Sequence, residues 1–264
     1  QSTISRINNN QPVTLDPLFV NCYRRSMEIS RKTGGAFDIT AGPLVNAWGF
    51  GPEERTSLTP ERIDSLLEIT GYQKITLKNG KIKKADPRMK LDMSAVAKGY
   101  TCDLIAGFLG ERGCTNYMVE IGGEVVAKGK NEKGKIWTIG ISKPDETAFF
   151  ATGDLQAKVQ LPEHALATSG NYRNFYEEDG KKYAHTIDPA SGRPVQHSLL
   201  SATVLAKNCM DADAFATAFM VLGLEESKII ARENPDLMVY LIYADKEGNN
   251  QVYASESFRE QLVD

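Results

Sequence analysis

The residues Asp213 and Thr217 place a carboxylate and a hydroxyl four positions apart in a stretch that reads as helix, so the two oxygens share one helix face. Hard cations such as Mg²⁺ take oxygen ligands of this kind, keep several waters and bind substrate phosphates. Polar side chains near a helix start also occur without any metal, because they complement the helix dipole. The pair therefore leaves a metal site and an ordinary helix start both open, and Asp211 is expected to cap the helix.

A second group lies in Leu91–Tyr100, where Asp92 precedes a predicted helix start and Lys98 follows about one and a half turns later. The residues between them are mostly small, Ala95 among them, so a large ligand could approach the backbone. The unpaired amides of a helix start favour anions. The alternative is a plain N-cap before an amphipathic helix whose core-facing residues are Val96, Leu104 and Phe108.

His185 is one of three histidines, and it stands at a predicted strand end before a loop stiffened by Pro189 and Pro194. A rigid loop at a strand end suits a general base, and imidazole changes charge near neutral pH. A structural histidine remains the alternative. His164 and His197 have no such setting and are predicted to be surface residues.

The elements that must position these residues are helices, hairpins and one irregular segment. Helices are predicted over 17–32, with Leu18, Cys22 and Ile29 on one stripe, and over 60–70, 94–112, 211–222 and 225–234, with a short last helix started by a Ser257–Glu260 capping box. Strands are predicted over 75–77, 81–83, 117–121, 125–127, 137–141, 157–161, 173–176, 183–187, 199–205, 237–243 and 251–254. The glycine- and proline-rich segment 36–52 is predicted to be a loop, and Gly122-Gly123 to be a bulge or a close backbone approach. This irregular alternation predicts an α+β fold with mixed or antiparallel sheets, in one compact catalytic unit of one or two lobes.

Bulk composition excludes several classes of protein. The chain has 264 residues, 41% hydrophobic and 25% charged, and a net charge of −3, which gives no indication of nucleic-acid or anionic-membrane binding. Its apolar runs are shorter than the roughly 20 residues that span a bilayer. Neither a Gly-x-Gly-x-x-Gly nor a Walker A pattern is present. The four cysteines match no zinc or redox spacing, which leaves core thiols or a Cys102–Cys114 disulfide.

Six motifs occur in a fixed order along the chain. They are Ala36–Leu44 with Trp48–Gly51, Asp92-x-Ser94-x-x-Ala97-Lys98-Gly99, Gly122-Gly123-Glu124, Ala167–Tyr172, His185-Thr186-Ile187-Asp188-Pro189 with Gly192-Arg193-Pro194, and Asp213-x-x-x-Thr217. Together they cover nearly the whole chain, and the set closely resembles the ApbE family, the FAD:protein FMN transferases.

This resemblance implies an ApbE-like, T-fold-like catalytic domain over residues 1–264. The family splits FAD at its pyrophosphate in the presence of Mg²⁺ and attaches the FMN half to a Thr or Ser of a target flavoprotein through a phosphoester, with AMP as leaving group. Some members instead hydrolyse FAD to FMN and AMP. A non-enzymatic protein that stores or delivers FAD is a third possibility.

The resemblance also implies roles for individual residues. FAD would be contacted by Ala36, Phe37, Asp38, Asp92 and Ile187, with Lys98 along its phosphates and with Gly122, Gly123, Thr168 and Ser169 lining the flavin or phosphate channel. Mg²⁺ would be held by Asp213, Thr217 and the backbone oxygen of Ala95. His185 would take the proton from the incoming hydroxyl.

Two further expectations come from the family. Its members usually begin with an apolar strand and a helix before the segment matched by Ser2–Asn8, so those elements, and an aromatic residue used against the flavin ring, are missing here. Members are typically exported, often as lipoproteins. An extracytoplasmic location is therefore expected, with a removed lipid anchor as the membrane link.

Overall fold

The structure is a computed structural model that describes residues 2–51, 58–144, 155–171, 175–178 and 181–263. By its internal contacts the chain divides into two compact units. The first comprises Gln1–Ala95 and Tyr176–Gln196, and the second comprises Val96–Phe175 and His197–Asp264. Helices combine with antiparallel strands throughout, so the predicted α+β class is confirmed. The assignment of the whole chain to one catalytic domain stays a prediction.

The helices of the described residues are α1 (Thr3–Asn8), α2 (Pro17–Lys32), α3 (Gly42–Ala47), α4 (Pro60–Glu68), α5 (Ser94–Glu111), α6 (Cys209–Glu233) and α7 (Glu256–Arg259). The strands are β1 (Ile75–Lys78), β2 (Lys81–Lys84), β3 (Tyr117–Ile121), β4 (Glu124–Lys128), β5 (Thr138–Ser142), β6 (Leu155–Gln160), β7 (Ala165–Gly170), β8 (Phe175–Glu178), β9 (Lys181–Ala184), β10 (Ile187–Asp188), β11 (Arg193–Pro194), β12 (Leu199–Ala206), β13 (Met238–Ala244), β14 (Asn250–Ala254) and β15 (Leu262–Val263). No helix within the described ranges combines the length and the apolar character needed to cross a membrane. The extracytoplasmic location stays a prediction.

In the first unit, local signals set the helix starts and the hairpin. Asp16 caps α2 by accepting a hydrogen bond from the Phe19 N–H at 2.8 Å, and proline occupies the first turn of both α2 and α4. Asn79 and Gly80 have φ of 51° and 68°, as the tight turn between β1 and β2 requires. These predictions are confirmed, as is the burial of Cys22 and Ile29 on α2. Leu18, predicted to share their stripe, is 51% exposed, so that part was wrong.

The segment predicted to be a loop contains α3. This one-and-a-half-turn helix has Pro43 in its first turn and Leu44 fully buried, and burial of that side chain stabilises a helix too short to stand alone. Just beyond it, the indole N–H of Trp48 donates to the carbonyl of Gly192 at 2.8 Å. The segment is therefore tied to the loop that follows β10.

The second unit is built on a six-stranded antiparallel sheet with the order β14-β13-β12-β7-β4-β3. Helix α6 packs against β12 and β7. A three-stranded sheet, β15-β6-β5, joins the same core through Ile141 and Val159, which cluster with Val125 and Leu205 of the large sheet. Strand β7 was not predicted, because its sequence of small and polar residues has little strand propensity of its own and depends on pairing with two neighbours.

Helix α6 begins earlier than predicted, and it continues past the predicted end at residue 222. Its N-cap is Asn208, whose side chain accepts the N–H of Asp211, so Asp211 is the third helical residue and not the cap. The two predicted helices, 211–222 and 225–234, are joined at Gly223, which has φ 76° and ψ −174°. His197 lies under this kink: its Nδ1 accepts from the Leu199 N–H and its Nε2 donates to the Met220 carbonyl, so the prediction of a surface residue was wrong.

Three smaller predictions were also wrong. On α5, Val96 is buried, but Leu104 is 36% and Phe108 50% exposed, so the core-facing stripe is not the one read from the sequence. Gly122 and Gly123 form the two-residue turn between β3 and β4, with Ile121 paired to Glu124, so the bulge was the wrong alternative. The close backbone approach stays a prediction. Ser255 caps α7, not Ser257.

Candidate active site

The second unit brings α5 and α6 into close backbone contact at Gly99. A Cβ on this residue would lie 2.3 Å from the backbone oxygen of Cys209 and 2.9 Å from the Cβ of Asp213, so only glycine fits here. The Gly99 N–H donates to Asp213 Oδ2 at 3.0 Å. Ala95, the predicted backbone ligand, is on α5 one turn before Gly99. Gly99 thus allows α5 and α6 to pack closely, and its N–H holds the Asp213 carboxylate.

Asp213 is a buried carboxylate, only 4% exposed. Burial raises its pKa to about 6; the Gly99 hydrogen bond opposes the rise, nearby Glu124 adds to it and Lys98 again lowers it. One hydrogen-bond donor and a second carboxylate nearby leave its charge poorly compensated. A site of this kind favours a cation.

Hydroxyl groups of β7 and α6 meet beside Asp213. Ser169 Oγ lies 3.4 Å from Thr217 Oγ1, and Thr217 is one turn along α6 from Asp213, as the spacing predicted. Thr168, the neighbour of Ser169 on β7, contacts Thr203 at 2.8 Å instead. Consecutive strand residues point to opposite faces, so Thr168 and Ser169 do not line one channel with their side chains. Tyr172, which ends the same motif, lies outside the described residues.

Lys98 and Glu124 form an ion pair at the turn between β3 and β4. Lys98 Nζ lies 2.6 Å from Glu124 Oε1, and the side chains are 47% and 3% exposed. The turn residue Gly122 is so close that a Cβ on it would lie 3.4 Å from Lys98 Cδ. Gly122 and Lys98, both predicted to line the phosphate channel, are therefore neighbours, and Gly123 is exposed in the same turn.

Sequence reasoning assigned no role to Asp103, which anchors α6 from α5. Its carboxylate accepts the N–H groups of Cys209 and Met210 at 2.7 and 2.8 Å. Burial raises its pKa, and those two hydrogen bonds oppose the rise. The Cys102 thiol, one residue before it, donates to the Glu124 carbonyl at 3.3 Å, while Cys114 is exposed, so the two are thiols and not the disulfide considered above. The sequence carries no local signal for either contact.

In the first unit, Asp38 is held by three donors. Its Oδ1 accepts the N–H and the hydroxyl of Thr40, and its Oδ2 accepts the Tyr72 N–H, each at 2.7 Å. Burial raises the pKa of Asp38, and these hydrogen bonds oppose the rise. Phe37 beside it is 2% exposed and Ala36 9%. The side chains of this predicted FAD-contacting segment therefore stabilise the loop, and the contact with FAD stays a prediction.

Asp92 lies beside that same segment. Its N–H donates to the Ile39 carbonyl at 2.7 Å, and its Oδ1 accepts the Ser94 N–H at 2.8 Å, as expected of a residue before a helix start. A Cβ on Gly42 would lie 3.0 Å from the Asp92 Cβ. Ile39 and Asp92, 53 positions apart in the sequence, are thus adjacent in the first unit.

His185 follows β9 directly, as predicted, and is half-buried. Its ring packs edge-on to Phe50, with centroids 6.3 Å apart and an interplanar angle of 67°. Ile187, two residues on, begins β10 and is 5% exposed. The carboxylate of Asp188 accepts the N–H groups of Ala190 and Ser191, which fixes the loop beyond it.

The donors around Asp213 fit a hard divalent cation. A carboxylate and the two hydroxyls of Ser169 and Thr217 are all oxygens, as Mg²⁺ prefers. Within the described part of the chain, no cluster of three or more His, Cys, Asp or Glu residues that could hold a metal is found. Such a cation would rely on hydroxyl, backbone and substrate oxygens.

Comparison with known proteins gives consistent matches over nearly the whole chain. A protein of Vibrio cholerae named FAD:protein FMN transferase is 39% identical over 263 residues, covering 98% of this chain and 77% of the relative. One of the same name from Haemophilus influenzae is 42% identical over 257 residues, covering 94% of this chain and 73% of the relative. The solved structure of the flavin transferase ApbE from Vibrio cholerae matches with a TM-score of 0.87 at 38% identity, over 98% of this chain and 82% of that one. The crystal structure of the apbe protein from Thermotoga maritima has a TM-score of 0.85 at 27% identity, over 100% and 84%.

The fold and these similarities show that the protein is an enzyme of the transferase class. The family model described as ApbE family matches residues 1–241. The chain therefore belongs to the ApbE family, and the resemblance drawn from its six motifs is confirmed.

Proposed function

We propose that this enzyme transfers the FMN half of FAD to a threonine or serine hydroxyl of a target flavoprotein, and that the reaction depends on Mg²⁺. A phosphoester bond forms between the hydroxyl oxygen and the FMN phosphorus, the bridging P–O bond breaks, and AMP leaves. Family membership and the names of the relatives support a flavin substrate. The observation that carries the metal-dependent chemistry is the buried, poorly compensated carboxylate of Asp213 beside two hydroxyls.

Asp213, Thr217 and the backbone oxygen of Ala95 would hold the cation. When bound, Mg²⁺ neutralises pyrophosphate charge and makes the phosphorus easier to attack. Lys98 supplies a positive charge for the phosphate oxygens, next to a glycine turn at Gly122 that leaves room for them. Ser169 and Gly123 would complete this phosphate-binding surface, with Thr168 contributing backbone groups.

His185 takes the proton of the acceptor hydroxyl on a ring nitrogen, which leaves the oxygen nucleophilic. The edge-on contact with Phe50 helps to hold the ring in place, which suits that role. Ala36, Phe37, Asp38, Asp92 and Ile187 would contact FAD mainly through backbone groups. Phe37 and Ile187 are buried, and the Asp38 carboxylate is engaged by three donors.

The decisive experiment incubates the protein with FAD, Mg²⁺ and a flavoprotein fragment that carries one acceptor threonine, beside a control fragment with valine in its place. We expect covalent flavin on the threonine fragment and one AMP per flavin transferred. Free FMN plus AMP with either fragment would identify a hydrolase instead, and unchanged FAD would contradict the proposal. His185→Ala should keep FAD binding and lose transfer, and EDTA should stop turnover.

A further inference from the structure

Glu124, the first residue of β4, has no part in the chemistry described above, yet its side chain is 3% exposed. Its Oε1 contacts Lys98 Nζ at 2.6 Å. Its Oε2 is buried and has no hydrogen-bond partner among the described residues. Buried carboxylate oxygens nearly always have a donor, because an unpaired one keeps the full cost of its lost hydration. This oxygen can therefore accept a hydrogen bond from a ligand that brings a donor.

Helix α5 contacts both members of the Lys98–Glu124 pair. Lys98 and Cys102 are one turn apart on α5, and the Cys102 thiol donates to the backbone oxygen of Glu124 at 3.3 Å. The same helix thus holds the main chain of Glu124 and supplies the ammonium that contacts its carboxylate. Neither group can shift far without the other.

In front of the pair lies glycine backbone. Gly122 has φ +63°, and a Cβ on it would lie 3.4 Å from Lys98 Cδ and 3.6 Å from Glu124 Oε2. A larger residue would cover both charged groups and would also be strained at this φ. Since the Lys98 side chain is 47% exposed, a ligand can reach the ammonium over this turn.

We propose that Glu124 is a positioning residue that holds the Lys98 ammonium in place for the pyrophosphate of the dinucleotide. This inference rests on the proposed function. An ammonium has three donors; Glu124 occupies one and leaves two for phosphate oxygens. A lysine without a partner would lose side-chain conformational entropy when the ligand binds. The ion pair with Glu124 already restricts the side chain, so less entropy is lost on binding. The unpaired Oε2 accepts a hydrogen bond only when the ligand brings a donor.

The test is a double-mutant cycle on FAD affinity, measured by flavin fluorescence without Mg²⁺, with transfer kinetics measured in parallel. Glu124→Gln should weaken FAD binding about tenfold, the equivalent of one charge-assisted hydrogen bond. Lys98→Ala should weaken it at least as much. The double variant should match Lys98→Ala, because Glu124 acts through the lysine and has nothing left to hold.

Two controls separate positioning from a structural role. Glu120→Gln makes the same change on β3, four residues away and exposed, and should leave affinity unchanged. Glu124→Gln should not lower the melting temperature, because it removes a buried charge with one unpaired oxygen. Three results would overturn the inference while leaving transfer by the wild type intact. They are a tenfold loss of FAD affinity on adding Glu124→Gln to Lys98→Ala, a lower melting temperature in Glu124→Gln, and wild-type FAD affinity in Glu124→Gln. A wild-type protein that does not bind FAD would overturn both this inference and the proposed function.

Discussion

Asp38 in the first unit and Asp213 in the second are aspartates whose pKa is raised by burial, but their surroundings differ. Asp38 accepts three hydrogen bonds of 2.7 Å from the loop it stabilises. Asp213 accepts one from Gly99, and the carboxylate of Glu124 adds to the rise of its pKa. The first carboxylate is satisfied by its own fold, and the second is not.

We propose that this difference separates a carboxylate that stabilises its own loop from one that binds a cation. A fold that satisfies a buried charge uses it to join segments, here the residues after α2 to those after α4. A buried charge left with few donors costs stability, and the cost is offset when a cation or ligand binds. Residue type and the direction of the pKa shift do not separate the two aspartates, since burial raises both values. The donor count distinguishes them.

The largest expected effect is on turnover in Asp213→Asn. The change removes the charge that would hold the cation, and polarisation by a metal ion is worth several kcal/mol, so transfer should fall at least about 10³-fold. The free energy of unfolding, measured with urea in EDTA, should stay equal or rise, because a poorly compensated buried charge is gone. A variant that unfolds readily, together with wild-type turnover that ignores EDTA, would contradict the metal interpretation.

Gly99→Ala tests whether the fold itself places Asp213. The added Cβ would meet the Cys209 carbonyl, so α5 and α6 must separate and the hydrogen bond to Asp213 is lost. We expect a loss of about 3 kcal/mol in stability, at the upper end for overpacking, and little turnover. The matched control is Gly107→Ala on the same helix, where a Cβ meets nothing within 4 Å. It should gain up to about 1 kcal/mol from helix propensity.

Asp38→Asn is the counterpart in the first unit. An amide nitrogen would have to face either the Tyr72 N–H or the donors of Thr40, so one buried donor loses its acceptor. The free energy of unfolding should fall by about 2 kcal/mol. Asp64→Asn, on the exposed face of α4, should stay within about 0.5 kcal/mol of the wild type. A neutral result in Asp38→Asn would mean that donor count does not separate the two aspartates.

The smallest effect is the stabilisation expected from Mg²⁺. At tenfold its dissociation constant, a ligand that binds only the folded state stabilises by about 1.4 kcal/mol. Thermal unfolding should show that shift in the wild type and in Asp38→Asn, each against its own metal-free baseline, and none in Asp213→Asn. An equal shift in the wild type and both variants would place any cation away from Asp213.

The sequence predicted best where a few neighbouring residues decide the structure. Asp16-Pro17 and Thr59-Pro60 start helices, and Asn79-Gly80 closes a hairpin, because capping and turn geometry need only local atoms. The spacing of Asp213 and Thr217 likewise fixed a shared helix face. The order of the six motifs identified the family.

The features that were not predicted from the sequence depend on contacts between residues far apart in the chain. Strand β7 exists because β4 and β12 flank it, and its own residues favour no strand. Lys98 and Glu124 are separated by 26 positions, and Asp103 reaches Cys209 across 106. The glutamate after the glycine pair was visible as part of a motif. Its burial, and hence its partner, came only from the fold.

Helix α5 contacts the site through four residues within six positions: Lys98, Gly99, Cys102 and Asp103. A helix turns about 100° per residue, so inserting or deleting one residue near position 97 would rotate all four away from their partners together. The site should therefore tolerate exchange of side chains on this helix better than any change in its length. The four positions are fixed by one helix, so none of them can shift along the chain independently of the others.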